Sequence, residues 1–408
     1  MELANERGGR RLWVGIDIGK GHHWASAVDE SGGQVWSRKI LNDEADILAA
    51  ISSVLGLADQ VSWAVDITSG PAGLLLALLA GRGQQARYIP GRTVHAMSAG
   101  YRGEGKTDAK DAFLIADISR LRSDFSLVQV PAQLVAELGL LTSYRADLVA
   151  DRIRLISRLR ELLVGVFPAL ERAFDYSRHR GALIVLTEHQ SPEALHRRGQ
   201  SRLTAWLGKQ GVRRPAQVAE KALAAADAQR ASLPAQAVAG QIVADLARQI
   251  LSVDERLARV DKQIHAAFAQ HPQAKVITSM PGIGTILGAE LVVAAGDLSV
   301  YADAGRLASA AGLVPVPRDS GRRTGNLHRP RRYSRRLRRV FYLSAQTSIV
   351  RDGPNRDFYL KKRGQGLRHV QAVIALARRR VDVLWSLLRD NRLFTTTPPP
   401  ARTGTLAA

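Results

Sequence analysis

The stretch Leu12-Trp13-Val14-Gly15-Ile16-Asp17-Ile18 decides how the chain is read. Apart from one carboxylate it is apolar, with the length of a buried strand, and an ionised aspartate is costly to bury in such a run without a partner. Asp17 therefore carries the strongest single-residue signal in the sequence. A second aspartate, Asp66, closes the apolar run at 61–65. Two more, Asp108 and Asp111, sit in Lys106-Thr107-Asp108-Ala109-Lys110-Asp111, where a helical pattern begins. Their spacing on a helix places both on one face. Carboxylates that bridge and flank a pair of ions about 4 Å apart are what two-metal chemistry on a phosphodiester requires, and hard oxygen ligands select Mg²⁺ or Mn²⁺. A plainer reading of the helical pair stays open, with Asp108 as a helix cap and Asp111 as a first-turn acid favoured by the helix dipole.

Outward from that strand, residues 24–28 and 34–40 read as hairpin partners joined by Asp29-Glu30-Ser31-Gly32-Gly33. A helix capped by Asn42 then runs to about Leu57, followed by a strand at 61–65, a helix at 73–80 and a short strand at 86–89. The order is β-β-β-α-β-α-β-α. This is the α/β element order of the ribonuclease H fold, in which the first strand, the fourth strand and the last helix carry the acids. We assign this domain to residues 1–128.

Residues 129–270 read as a helical, coiled-coil region. Leu134, Leu138, Leu141, Leu148, Leu155, Leu159, Leu162 and Val166 recur at near-heptad spacing, interrupted by Arg145 and Arg152, which either snorkel or pair across the seam. A second seam, Val243, Leu246, Ile250, Val253, Leu257, Val260 and Ile264, alternates strictly by three and four. An antiparallel stalk or a dimer interface accounts for both. A mainly helical C-terminal domain is expected over 271–394, and a disordered Thr- and Pro-rich tail over 395–408.

The composition points to a polyanionic partner. Among 408 residues the formal net charge is +21 and the pI about 10.9, a field suited to phosphate backbones. Ten arginines lie between Arg318 and Arg339, against the single acid Asp319. Repulsion within so short a segment favours a bound polyanion over a merely solvated face, with Arg318, Arg322, Arg323, Arg329, Arg331, Arg332, Arg335 and Arg336 as the contacts. In the same loop Ser320 precedes Gly321; spacing alone makes it a weak candidate nucleophile, because a serine needs activation. Upstream, Met280-Pro281-Gly282-Ile283-Gly284-Thr285 has the form of a helix-hairpin-helix turn, whose glycines (Gly282, Gly284) let backbone N–H groups approach a phosphate. An ordinary Pro-Gly turn between packed helices is the alternative. The absence of cysteine excludes disulfides and thiolate metal sites. No stretch is apolar enough to span a membrane, and residues 1–11 lack a signal-peptide core, so a cytoplasmic protein is expected.

Together, Val14-Gly15-Ile16-Asp17, Lys106-Thr107-Asp108-Ala109-Lys110-Asp111-Ala112, Met280-Pro281-Gly282-Ile283-Gly284 and Ala311-Gly312-Leu313-Val314-Pro315 leading into Ser320-Gly321 resemble the DEDD-type transposases of bacterial insertion sequences, the IS110 family. The resemblance covers most of the chain. It implies a RuvC-like first domain, a coiled coil and a terminal transposase domain. It further implies that Asp17, Asp66, Asp108 and Asp111 hold Mg²⁺, and that Ser320 attacks DNA to form a phosphoserine intermediate. A site composed from different subunits of a dimer or tetramer is implied too, with donor and target DNA paired by a structured guide RNA in the bacterial nucleoid. The sequence departs from the family in one acid, since Asp66 stands where Glu is typical. The competing reading is a RuvC-like junction nuclease that uses water, with Ser320 a bystander. Actin-like sugar kinases share Gly15-Ile16-Asp17-Ile18-Gly19, but the further Gly-rich nucleotide loops they need are not found.

Overall fold

Alternation along the first strand sets up the amino-terminal unit. The computed structural model describes residues 9–101, 105, 107–128, 132–231, 233–321 and 324–396. In β1 (Arg11–Asp17), Leu12, Val14 and Ile16 face one core while Trp13, Gly15 and Asp17 face the other side of the sheet. Strands β2 (His22–Val28) and β3 (Gln34–Leu41) extend it as an antiparallel meander. After α1 (Glu44–Leu55), strand β4 (Gln60–Val65) pairs parallel with β1; α2 (Gly73–Gly81) leads to β5 (Ala86–Tyr88), which pairs parallel with β4. The sheet order is β3-β2-β1-β4-β5. Two helices follow, α3 (Gly91–Ser98) and α4 (Asp108–Leu121). Helices α1 and α2 cover one face of the sheet through Ile47, Ile51, Leu75 and Leu79; α3 and α4 cover the other through Val94, Leu114, Ile115 and Ile118.

Two details differ from the sequence-based expectation. The cap of α1 is Asp43, whose carboxylate accepts from the Asp46 N–H at 2.9 Å, while the Asn42 amide donates to the Lys20 and Pro71 carbonyls. Asn42 is thereby held in the loop packing rather than at the helix start. The α3 helix was not foreseen, because eight residues carrying a single buried apolar side chain, Val94, leave no readable period.

The chain divides by packing into two compact units, Met1–Pro131 and Ala132–Ala408. The second is almost entirely helical. Its frame is a pair of helices of 34 residues each, α5 (Gln133–Val166) and α11 (Gln236–Ala269). Arg145 pairs with Asp261 at 2.6 Å and Arg152 with Asp254 at 2.5 Å. Because the partner numbers fall as the arginine numbers rise, the pairing is antiparallel and lies within one chain. The arginines thus bond across the seam. Between these helices the chain forms a lobe of α6 (Pro168–Ala173), α7 (Arg180–Glu188), α8 (Pro192–Arg198), α9 (Gln200–Lys209) and α10 (Pro215–Asp227), packed on the distal half of the pair. Helices α12 (Ala274–Ser279), α13 (Thr285–Ala295) and α14 (Ala304–Ala310) follow, then the short strands β6 (Val316–Pro317) and β7 (Leu327–His328). The chain continues through α15 (Arg335–Ser348), α16 (Pro354–Gly364) and α17 (His369–Arg389), packing on the proximal half through Phe268, Ile277, Phe341 and Leu384. Of the expected tail, 397–408 lie outside the described residues.

Candidate functional site

Parallel pairing puts Ile16 opposite Val65, so Asp17 and Asp66 emerge together at the carboxyl ends of two central strands, on the face that α4 covers. Gly15 fixes how close α4 comes. A Cβ at that position would lie 2.2 Å from the Ala116 nitrogen and 2.3 Å from the Ala112 carbonyl oxygen, so the helix backbone rests directly on the strand. Thr107 caps α4 by accepting from the Lys110 N–H, and Asp111 falls in the first turn. A cavity of about 730 Å³ collects Asp17, Asp66 and Asp111 on its wall.

Two effects act on Asp66 in the same direction. Burial pushes the Asp66 carboxyl above the ordinary carboxylate range, and the neighbouring charge of Asp111 pushes the same way, against the Ile18 N–H that Asp66 accepts at 3.2 Å. Asp108 does not line this cavity. It is exposed and turned to His22 Nε2 at 3.3 Å. Among the described residues, no three carboxylate or imidazole groups are gathered closely enough to hold a metal ion in this arrangement. The sequence reading missed His95 and Tyr101 on the same wall, and quoted Lys110 without assigning it there. Tyr101 donates to Asp117 at 2.7 Å, and burial with that partner pushes its phenol up to about 12. Asp117 also accepts from Arg120 at 2.7 Å, so this fifth aspartate of the region is occupied.

Ser320 lies in the second unit, in the loop between β6 and β7, and is exposed. The loop is closed by the Arg318 N–H donating to the Asn326 carbonyl at 2.8 Å, and by the Asn326 N–H donating to Asp319 at 2.9 Å. Among the described residues no side chain hydrogen-bonds the Ser320 hydroxyl; Arg322 and Arg323 lie outside them. Arg329 donates to Tyr333 at 3.0 Å, which pulls that phenol below its ordinary range, and His328, Arg329, Arg331 and Tyr333 line a cavity of about 430 Å³. Tyr333 was also missed; its ring fills the space over Gly312, where a Cβ would lie 2.4 Å from it. Three arginines of the basic stretch are tied inward: Arg336 donates to Ser143 at 2.7 Å, Arg338 to the Gly312 carbonyl and Arg339 to Glu290.

The glycines of the α12–α13 turn have separate roles. Gly282 has φ 82° and backs onto α15, where a Cβ would lie 2.5 Å from the Ser344 carbonyl oxygen. Packing accounts for it. Gly284 is open and sits at the start of α13. Arg380 locks the turn from behind, donating to Ser344 Oγ at 3.0 and 2.6 Å and to the Pro281 carbonyl; burial draws its guanidinium down to about 10.

Comparisons with known proteins cover both units. Residues 14–168 match the family model of the IS110 DEDD transposases, described as a transposase, and residues 274–360 match the one described as the transposase IS116/IS110/IS902 family. The chain is 58% identical to the 44.8-kDa protein of insertion element IS116 from Streptomyces clavuligerus, over 96% of this chain and 98% of that one. It is 48% identical to the 42-kDa protein of insertion element IS900 from Mycobacterium paratuberculosis, over 94% and 97%. The 43.6-kDa protein of insertion element IS110 from Streptomyces coelicolor is 31% identical over 95% and 96%. No described helix is long and apolar enough to cross a membrane.

Proposed function

The chain belongs to the transposase family of the insertion elements IS110, IS116 and IS902, and from that premise we propose that it breaks and rejoins DNA through Ser320, assisted by Mg²⁺ at its four aspartates. As a transposase it is a DNA-cleaving and rejoining enzyme. The observation that carries the finer reading is the convergence of Asp17, Asp66 and Asp111, from two strands and a helix, on one cavity. The strand order β3-β2-β1-β4-β5 with acids at the ends of β1 and β4 supports a RuvC-like, ribonuclease H-type unit.

The donor set fits a hard divalent cation: it is carboxylate, and the upward push on Asp66 is what a cation would relieve. Asp17, Asp66 and Asp111 would hold it after their carboxylates draw closer together than in this arrangement, with Asp108 joining once its carboxylate leaves His22. When bound, Mg²⁺ supplies Lewis acidity and neutralises developing phosphate charge. The exposed loop presents the Ser320 hydroxyl as nucleophile, and attack joins Oγ to phosphorus as the P–O bond to the departing strand breaks, the serine proton passing to solvent and the departing oxygen taking one up to leave as a hydroxyl. Arg329, Arg331 and Arg332 steady the phosphate. A structured RNA supplies the sequence choice, a division of labour supported by a charge of +21 and by arginines suited to reading backbone. The working form is a dimer or tetramer in which one subunit's carboxylates serve another's serine.

The test incubates full-length protein with the element's RNA, Mg²⁺ and end-labelled DNA, then resolves DNA covalently attached to denatured protein. Wild type gives the adduct and Ser320→Ala gives none. Asp17→Asn and Asp108→Asn lose the adduct but retain nucleic-acid binding, since removing negative charge does not weaken attraction to phosphate. An adduct of equal yield from Ser320→Ala would overturn the serine mechanism; cutting without any adduct would identify water as the nucleophile.

A further inference from the structure

In the lobe between the long helices, far in sequence from both candidate catalytic segments, a cavity of about 500 Å³ is lined by Arg178, His179, Arg180, Arg213, Arg214 and Lys221, with no carboxylate on its wall. Asp175 is the acidic neighbour of two of these, lying 3.7 Å from Arg178 and interacting with His179; Arg180, Arg213, Arg214 and Lys221 have no carboxylate partner among the described residues. So many unneutralised cations around one concavity repel one another and favour an anion inside it.

The backbone is built toward the same end. Helices α7 and α10 both start at this cavity, after His179 and Arg214, and neither start is capped by a side chain. Their first-turn N–H groups add partial positive charge. Gly181 brings the two starts together, because a Cβ there would lie 2.8 Å from Val212 and 3.3 Å from Val218. Arg214 is held at φ 57°, an uncommon conformation for a residue other than glycine. One wall is apolar and aromatic: Phe174, with the His179 ring edge-on to it at 6.0 Å, beside Val212 and Val218.

We propose that this cavity captures one unpaired nucleotide of a single-stranded segment, its phosphate on the arginines and helix starts and its base on the Phe174 wall. The cavity is of single-ligand size, too small to admit a duplex, and a phosphate site beside an aromatic wall is the chemistry of an unstacked nucleotide. The proposal rests on the function above only in taking nucleic acid as the partner. RNA and DNA share this chemistry, and the probes separate them.

Full-length protein is irradiated with single-stranded RNA carrying 5-bromouracil, with the matching single-stranded DNA and with the duplex, and cross-links are mapped by mass spectrometry. A cross-link within residues 174–218 is expected from a single-stranded probe, with the RNA-to-DNA ratio naming the strand that supplies the nucleotide. The duplex gives about tenfold less. Arg180→Glu and Lys221→Glu reduce that cross-link by about tenfold while cross-links in the basic stretch around Arg331 persist. Equal labelling by the duplex, no cross-link in the lobe, or a uniform loss across the chain in the charge-reversal variants would each overturn the proposal. Failure of the serine mechanism would leave this readout unchanged, because it needs neither Mg²⁺ nor Ser320. Charge-neutral Arg180→Gln and Lys221→Gln, checked for wild-type melting, are to show the same selective loss if misfolding is not the cause.

Discussion

Asp17 was legible because a carboxylate stands out in an apolar strand. Its meeting with Asp66 was legible too, because the element order places the two on adjacent central strands, and β1 and β4 do pair in parallel although the acids are nearly fifty residues apart. His95 had no signal at all: it reaches the cavity only through the placement of α3. Single histidines elsewhere make sharper tests. His189 in the lobe is buried against Trp206 at 5.3 Å, its Nε2 has no hydrogen-bond partner among the described residues, and burial holds its pKa below the ordinary value. The unfolded chain takes up that proton first, as pH falls through about 6.5. The stability linked to His189 is therefore complete above that pH and is lost as pH falls toward the lowered folded-state value. Melting curves between about pH 7 and 5 should decline less steeply for His189→Leu than for wild type; equal slopes would remove His189 from the acid sensitivity.

At the level of elements, the heptads showed that two long helices exist, but not that they pair with each other in one chain. Leucine seams are alike for intramolecular and intermolecular partners. The ion pairs settle it, since two arginines spaced one heptad apart meet two aspartates spaced the same way in reverse. Both pairs are half-buried. Arg152 and Asp254 should be coupled by about 1 kcal/mol in a double-mutant cycle to alanine followed by urea unfolding. Arg152→Ala should cost more than Asp254→Ala, because the guanidinium also donates to the Ser177 carbonyl at 3.0 Å. Additive losses would mean that the pair contributes nothing of its own. The same level explains the misread cap of α1: Asn42 and Asp43 are both good caps, and only the loop packing around Lys20 and Pro71 selects between them.

For the whole molecule, net charge announced nucleic acid, but a charge count does not distinguish arginines that face a ligand from those that hold the protein together. The structure sorts them. Arg331, Arg332 and Arg335 are exposed and without an ion-pair partner among the described residues, so each change to Gln should lower the slope of log affinity against log salt by about 0.7–0.9, measured by anisotropy. Arg336→Gln and Arg339→Gln should instead lower the melting temperature by a few degrees, about 2–4 °C, with little change in slope, because Ser143 and Glu290 already hold those side chains. Matching slopes for the two groups would erase the distinction. The equal length of α5 and α11 also makes the pair a ruler. At 1.5 Å per residue it is about 50 Å long, the length of about fifteen base pairs of duplex. A duplex much shorter than that could not reach both ends at once, so duplex length itself becomes a test of whether nucleic acid lies along the pair.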